Sequence, residues 1–117
     1  MGVRMDQKTI LIIDDNKLIV HALRVLLGEH KCTVYSAENG VAGIKEYSRV
    51  KPDLVITDME MPVMSGEKVI STIKARHPSQ RVLAMSSRSA YEELAVSAGA
   101  TKFIMKPVMP EDVIPFL

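Results

Sequence analysis

The chain has no tryptophan, two phenylalanines and three tyrosines among its 117 residues, so no platform of rings is available for stacking nucleic-acid bases. A single cysteine, Cys32, excludes an internal disulfide and fits a reducing compartment. Its ordinary role is that of a small buried strand residue. Neither sign of charge is in excess. Fifteen Lys and Arg stand against fourteen Asp and Glu, and the net charge of +1 gives no field for holding nucleic acid or a membrane surface. No apolar run approaches the roughly 20 residues that span a bilayer. The first run meets Asp14 and Asp15 too soon to be a signal peptide, and Asp6 stands where N-myristoylation wants Ser or Thr. His21, His30 and His77 share no local cluster with Cys32 or with each other, which argues against zinc. These absences together lead to the expectation of a cytoplasmic protein with no direct nucleic-acid partner and no membrane.

What remains is a core-forming chain, 47% hydrophobic and 25% charged, of the length of one domain. Residues 1–117 are expected to form that single domain, with residues 1–8 a flexible N-terminal extension. There is no room for a second catalytic or DNA-binding domain, so an output would lie on another chain or on a part of a longer protein.

Five short apolar runs read as buried strands: Ile10 to Ile13, Cys32 to Tyr35, Leu54 to Ile56, Val82 to Met85, and Phe103 to Met105. Amphipathic stretches lie between them. Ile19, Leu23, Leu26 and Leu27 line one face of the first. Val41, Ile44 and Tyr47 mark the second, opened by Asn39 and Gly40. Val69, Ile70 and Ile73 mark the third, closed by His77 and Pro78. In the fourth, Tyr91, Leu94, Ala95 and Ala98 fall at helical spacing before Gly99; the fifth begins near Pro110. Strand and helix alternate five times, which predicts an α/β fold. Right-handed crossovers then give an open, doubly wound parallel sheet with helices on both faces.

The residues after each strand carry the chemistry. Run one ends in Asp14 and Asp15, run three in Asp58, run four in Ser86, and run five in Lys106 and Pro107. In an open parallel sheet all of these lie at one edge, in the crevice where such folds bind ligands. Three clustered carboxylates repel one another unless a cation joins them. Mg²⁺ suits them, since it takes a few carboxylates and accepts phosphate oxygens; Mn²⁺ is a substitute ion. A carboxylate is also a nucleophile toward phosphorus and gives an acyl phosphate. The metal and Lys106 would neutralise the transferring oxygens, with Ser86 donating a hydrogen bond. Taken singly, each residue has a plain structural explanation. Paired Asp residues often cap helices, and a lone Lys-Pro or Ser means little. Met59, Met61 and Met64 beside Asp58 fit gap-filling. Their joint placement on four strand ends is the informative fact.

In Ile12-Ile13-Asp14-Asp15-Asn16, in Asp53 through Pro62 around Asp58, in Gly66, in Ser86 and in Phe103-Ile104-Met105-Lys106-Pro107, the chain resembles a response-regulator receiver domain of two-component signalling. The resemblance runs from Thr9 to about Phe116. It implies a flavodoxin-like five-stranded sheet of order 2-1-3-4-5. It further implies that Asp58 is the phosphoacceptor, that Asp15 ligates Mg²⁺ directly, that Asp14 acts through a bound water, and that the backbone carbonyl of Glu60 is a further ligand. Lys106 would pair with the phosphoryl oxygens. Ser86 and Phe103 would be the switch residues, Phe103 lacking the hydroxyl of the more usual Tyr. Glu60 and Arg88 flank the site at the positions that tune hydrolysis in the family, and their opposite charges allow them to meet across its mouth. The implied phosphodonor is a histidine kinase or phosphotransfer protein. The implied role is signalling rather than enzymatic turnover, and homodimerisation is left open. Two rivals are a metal-dependent phosphohydrolase with an Asp nucleophile, for which the chain lacks a cap, and a degenerate receiver serving only as an interaction surface. Two departures stand out: a short segment between Ser86 and Gly99, and a short last helix containing Pro115, as in a domain cut from a longer protein.

Overall fold

The computed structural model describes residues 7–117. Chain order is β1 (Lys8–Ile13), α1 (Lys17–Gly28), β2 (Cys32–Ala37), α2 (Gly40–Val50), β3 (Leu54–Asp58), α3 (Gly66–Arg76) and β4 (Arg81–Ser86). A 3-10 turn (Ser89–Tyr91) then leads into α4 (Glu92–Ala98), β5 (Lys102–Met105), α5 (Pro110–Val113) and a last 3-10 turn (Ile114–Phe116). The sheet is parallel throughout, in the order β2-β1-β3-β4-β5. This is the doubly wound architecture expected. Residues 1–6 of the anticipated N-terminal extension lie outside the described residues. Lys8, assigned to that extension, instead opens β1, because the β1–β2 register continues down to Lys8 opposite Cys32.

The unbroken apolar run of β1 has a direct cause. Side chains alternate across a strand, and both faces of this sheet are covered. Ile10 and Ile12 join Val20, Leu23 and Leu27 of α1 and Val113 of α5 in one core. Leu11 and Ile13 join Tyr47 of α2, Val69, Ile70 and Ile73 of α3 and Ala95 of α4 in the other. Each such fully buried side chain contributes about 1.5–3 kcal/mol of transfer free energy. Helix starts follow the sequence signals. Asn16 Oδ1 accepts from the amides of Leu18 and Ile19, Asn39 Oδ1 from that of Ala42, and Ser65 Oγ from that of Lys68.

Two helix faces differ from the expected ones. Val41 is exposed, while Tyr47 is buried as expected and Gly40 and Gly43 are buried with it. A Cβ on Gly43 would come within 2.6 Å of Ile13 Cδ1, so glycine lets α2 lie close against β1. In the fourth helical segment, Leu94 is exposed and Tyr91 lies ahead of α4 in the 3-10 turn. Three residues per turn in that opening rotate the pattern away from a continuous 3.6-residue period. The short segment after Ser86 and the short last helix are both present. The α-helix of α5 ends at Val113, and Pro115 sits in the closing 3-10 turn.

One loop is under backbone strain. Val63, 86% exposed between β3 and α3, has φ of +72°. The Met64 amide donates to Pro62 O at 2.8 Å around it, a three-residue turn in its rarer, left-handed form. A β-branched residue pays for that conformation in side-chain and carbonyl crowding. Val63→Gly is expected to raise stability by about 1 kcal/mol, the relief of strain outweighing the added freedom of the unfolded chain. Chemical denaturation would measure it, and an unchanged or lowered midpoint would contradict the strain.

Candidate functional site

Parallel pairing brings the ends of β1, β3, β4 and β5 to one edge of the sheet. Asp14 follows β1, and its amide still donates to Ala37 O at the end of β2 (3.1 Å). Asp58 is the last residue of β3 and Ser86 the last of β4. The Lys106 amide donates to Ser86 O at 2.9 Å, so β5 delivers Lys106 to the same edge. The backbone ladder therefore fixes where these side chains start.

The side chains meet. One carboxylate oxygen from each of Asp14, Asp15 and Asp58 lies within 4.8 Å of the others. Asp14 and Asp58 are 2% and 5% exposed, whereas Asp15 is open to solvent. Lys106 Nζ bridges the two buried acids, 3.2 Å from Asp14 Oδ2 and 3.1 Å from Asp58 Oδ1. Asp14 Oδ1 also accepts from the Asn16 amide (2.9 Å). A single ammonium is shared by two buried carboxylates. Burial raises the Asp58 pKa; Lys106 opposes that rise, and the nearby Asp14 charge adds to it. Burial alone would lower the Lys106 pKa, but the Asp58 hydrogen bond and the two carboxylate charges outweigh it and raise the pKa overall.

Ser86 is buried, and its Oγ accepts from the Arg88 amide at 3.0 Å. Phe103 is 9% exposed and already packed inward, in the core covered by α2, α3 and α4. Gly66 opens α3 directly against β3: its amide donates to Met59 O (3.1 Å), and a Cβ there would fall on the Asp58 carbonyl oxygen.

At the mouth, Arg88 Nε lies 3.8 Å from Glu60 Oε1, with both side chains substantially exposed. Tyr91 lines the groove beside Glu60 and packs on the core as the sequence reading expected, although from the 3-10 turn ahead of α4. Its hydroxyl pKa is raised first by desolvation, then by a hydrogen bond to Glu60 and by that carboxylate's charge. Arg88 and Tyr91 are three apart in a 3-10 turn, the spacing that puts two side chains on one face.

The fold and this edge define a class: an open parallel α/β domain with an acidic crevice at the carboxyl edge of its sheet. Residues 10–116 match the response regulator receiver domain family, and the chain belongs to it. Chemotaxis protein CheY of Listeria monocytogenes is 34% identical over 109 residues, spanning 90% of this chain and 91% of that protein. CheY of Thermotoga maritima is 32% identical, spanning 92% of each. The solved structure of response regulator TrrA from Thermotoga maritima, in complex with Mg²⁺-BeF, superposes with a TM-score of 0.88. It is 30% identical and covers 95% of this chain and all of that one. As a receiver domain, the chain takes a phosphoryl group on an aspartate in an Mg²⁺-dependent reaction and signals by changing conformation. Among the described residues no helix is long and apolar enough to cross a membrane.

Proposed function

We propose that Asp58 is the phosphoacceptor and that Asp14, Asp15, Ser86 and Lys106 serve its chemistry. The observation that carries this reading is the buried Asp58 carboxylate, 3.1 Å from Lys106 Nζ, with two further carboxylates within 4.8 Å. The donor set fits Mg²⁺: it is all oxygen, and two buried acids share one ammonium, leaving negative charge to neutralise. Asp14, Asp15 and Asp58 with the backbone carbonyl of Glu60 would hold it, and Mn²⁺ meets the same requirement. When bound, the ion supplies positive charge opposite the phosphoryl oxygens.

The chain's own groups account for the rest. An Asp58 carboxylate oxygen attacks the phosphorus of a phosphohistidine on a histidine kinase or phosphotransfer protein. The new O–P bond forms as the P–N bond breaks, and the imidazole leaves with its electron pair. Lys106 can move from the Asp58 oxygen to a phosphoryl oxygen without leaving the pocket. The Ser86 hydroxyl can donate to another of those oxygens. The change of partner for Ser86 and Lys106, with Phe103 in the core on the α2–α3–α4 side of the sheet, is the local event that biases the signalling state.

Incubated with acetyl phosphate and Mg²⁺, the protein should gain the mass of one phosphoryl group, and chelation of the metal should prevent this. Asp14→Ala combined with Asp15→Ala should weaken Mg²⁺ binding by about 100-fold or more, at ~1.5–3 kcal/mol per charged ligand. Calorimetric titration that gave unchanged affinity would reject the acidic pocket as the metal site.

A further inference from the structure

We propose that the cavity at the amino-terminal edge of the sheet is a second binding site, one that takes a small phosphate monoester with an apolar body. The cavity measures about 740 Å³, within the range of pockets that hold small molecules. Lys8 and Arg81, which line it, open β1 and β4, and Asp53 immediately precedes β3. Asp58 and Ser86 close β3 and β4 at the opposite ends of those strands. At about 3.3 Å per residue the two edges are roughly 15 Å apart, so this site is separate from the acidic crevice.

Charge points to an anion. Lys8, Lys51 and Arg81 bring three cationic side chains to the lining, and Asp53 a single carboxylate. Among the described residues none of the three cations makes a salt bridge. Asp53 is turned to the backbone instead: its Oδ2 accepts from the Thr9 amide at 2.8 Å. Lys51 stands where backbone conformation favours glycine. It ends α2 with φ of +52°, its amide donating to Tyr47 O at 3.0 Å, and Pro52 follows. A lysine in the left-handed conformation carries strain that a glycine would relieve, and here it places a cationic side chain at the cavity. Arg81 Nη1 donates to Phe116 O at 2.9 Å, which fixes the guanidinium and leaves the rest of its planar fork for oxygen ligands. A phosphate monoester, with close to two negative charges and three acceptor oxygens, matches that set.

The wall beside these cations is preformed and largely apolar. Gln80 Nε2 donates to Asp53 O and to Arg81 O, both at 3.2 Å, which holds the side-chain amide in place and fixes Oε1 as the acceptor for Tyr47. The Tyr47 hydroxyl gives its one proton to Gln80 Oε1 (3.1 Å), so His77 Nδ1, 2.8 Å away, donates to it. This network holds the Tyr47 and His77 rings with centroids 5.6 Å apart. Together with Pro52, Phe116 and Leu117 they form the surface against which the apolar body of the ligand lies. A wall already ordered in this way adds little entropic cost to binding.

The test titrates the whole chain with phenyl phosphate and follows backbone amide shifts by NMR. Buffer free of divalent cations keeps the phosphate from being drawn to the acidic crevice. Saturable shifts are expected at Lys51, Gln80 and Arg81, with none at Asp58 or Lys106. Phenol lacks the anion and inorganic phosphate lacks the body, so each should bind at least tenfold more weakly. Lys51→Gln combined with Arg81→Gln removes two of the three cations from exposed positions. Affinity for phenyl phosphate should then fall by about tenfold or more, the equivalent of at least one charged hydrogen bond. Acetyl phosphate with Mg²⁺ should still label this variant, which reports that it folds. Lys51→Gln alone, at a fully exposed helix end, should show a smaller loss in the same direction. Shifts confined to the Asp58 edge, inorganic phosphate binding as tightly as phenyl phosphate, or full affinity in the double variant would each overturn the site.

Discussion

Asp58→Asn is expected to abolish phosphoryl labelling by small donors and to leave the fold intact. The amide is isosteric with the carboxylate but carries no charge and is a poor nucleophile toward phosphorus. Lys106 keeps its contact with Asp14 Oδ2 at 3.2 Å, so no buried ammonium is orphaned. Stability should respond in a pH-dependent way. The folded state raises the Asp58 pKa, chiefly by burial, and so holds that proton more tightly than the unfolded chain does. Stability contributed by this group is then lost as pH rises from the ordinary carboxylate range through the folded pKa. The Asn variant lacks that loss. In metal-free buffer its stability relative to wild type should climb between mildly acidic and neutral pH. Mass spectrometry reads the labelling and denaturant titration reads the stability. Undiminished labelling of the variant would move the acceptor elsewhere, and a pH-independent stability difference would contradict the buried-charge argument.

Gly66→Ala is expected to be the most damaging glycine-to-alanine change among the described residues. The added Cβ would meet the Asp58 carbonyl oxygen, and would lie 2.7 Å from Met59 Cα and 2.9 Å from Asp58 C. These are backbone atoms of the strand end that carries the acceptor, and they cannot swing aside as a flexible side chain can. Relief requires α3 to back away from β3, with loss of the Gly66 amide bond to Met59 O. Overpacking of this kind costs about 2–4 kcal/mol. The melting temperature should fall by on the order of 10 °C. Mg²⁺ affinity should fall with it, since Asp58 and the Glu60 carbonyl both move. A variant as stable as wild type would mean that the β3–α3 loop absorbs the methyl group.

The core and the acidic pocket were legible because both follow from periodicity. Strand runs such as Ile10 to Ile13 announce a sheet covered on both sides, and parallel strands put Asp14, Asp58, Ser86 and Lys106 at one edge whatever the loops do. Features that depend on local departures from a period were not legible. Tyr91 does pack against the core, but from a 3-10 turn ahead of α4 rather than from a regular helix. Leu94 turned outward for the same reason. Val41 lost its place to two glycines, Gly43 lying close against Ile13 of β1 and Gly40 against Met64, distances no composition records. The positive φ of Val63 was equally invisible, since nothing in a β-branched residue advertises a left-handed turn.

The sheet order has a consequence for fragments and for chains still being made. The first strand of the sequence is the interior neighbour of the second and third, while the strand that delivers Lys106 is the last to be made and lies at an edge. A nascent or truncated chain that stops before β5 brings Asp14 and Asp58 together with no ammonium between them. Their repulsion then opposes docking of β1 against β3 at the carboxyl edge. Delivery of Lys106 by the last strand therefore relieves part of that repulsion only once the whole sheet is in place.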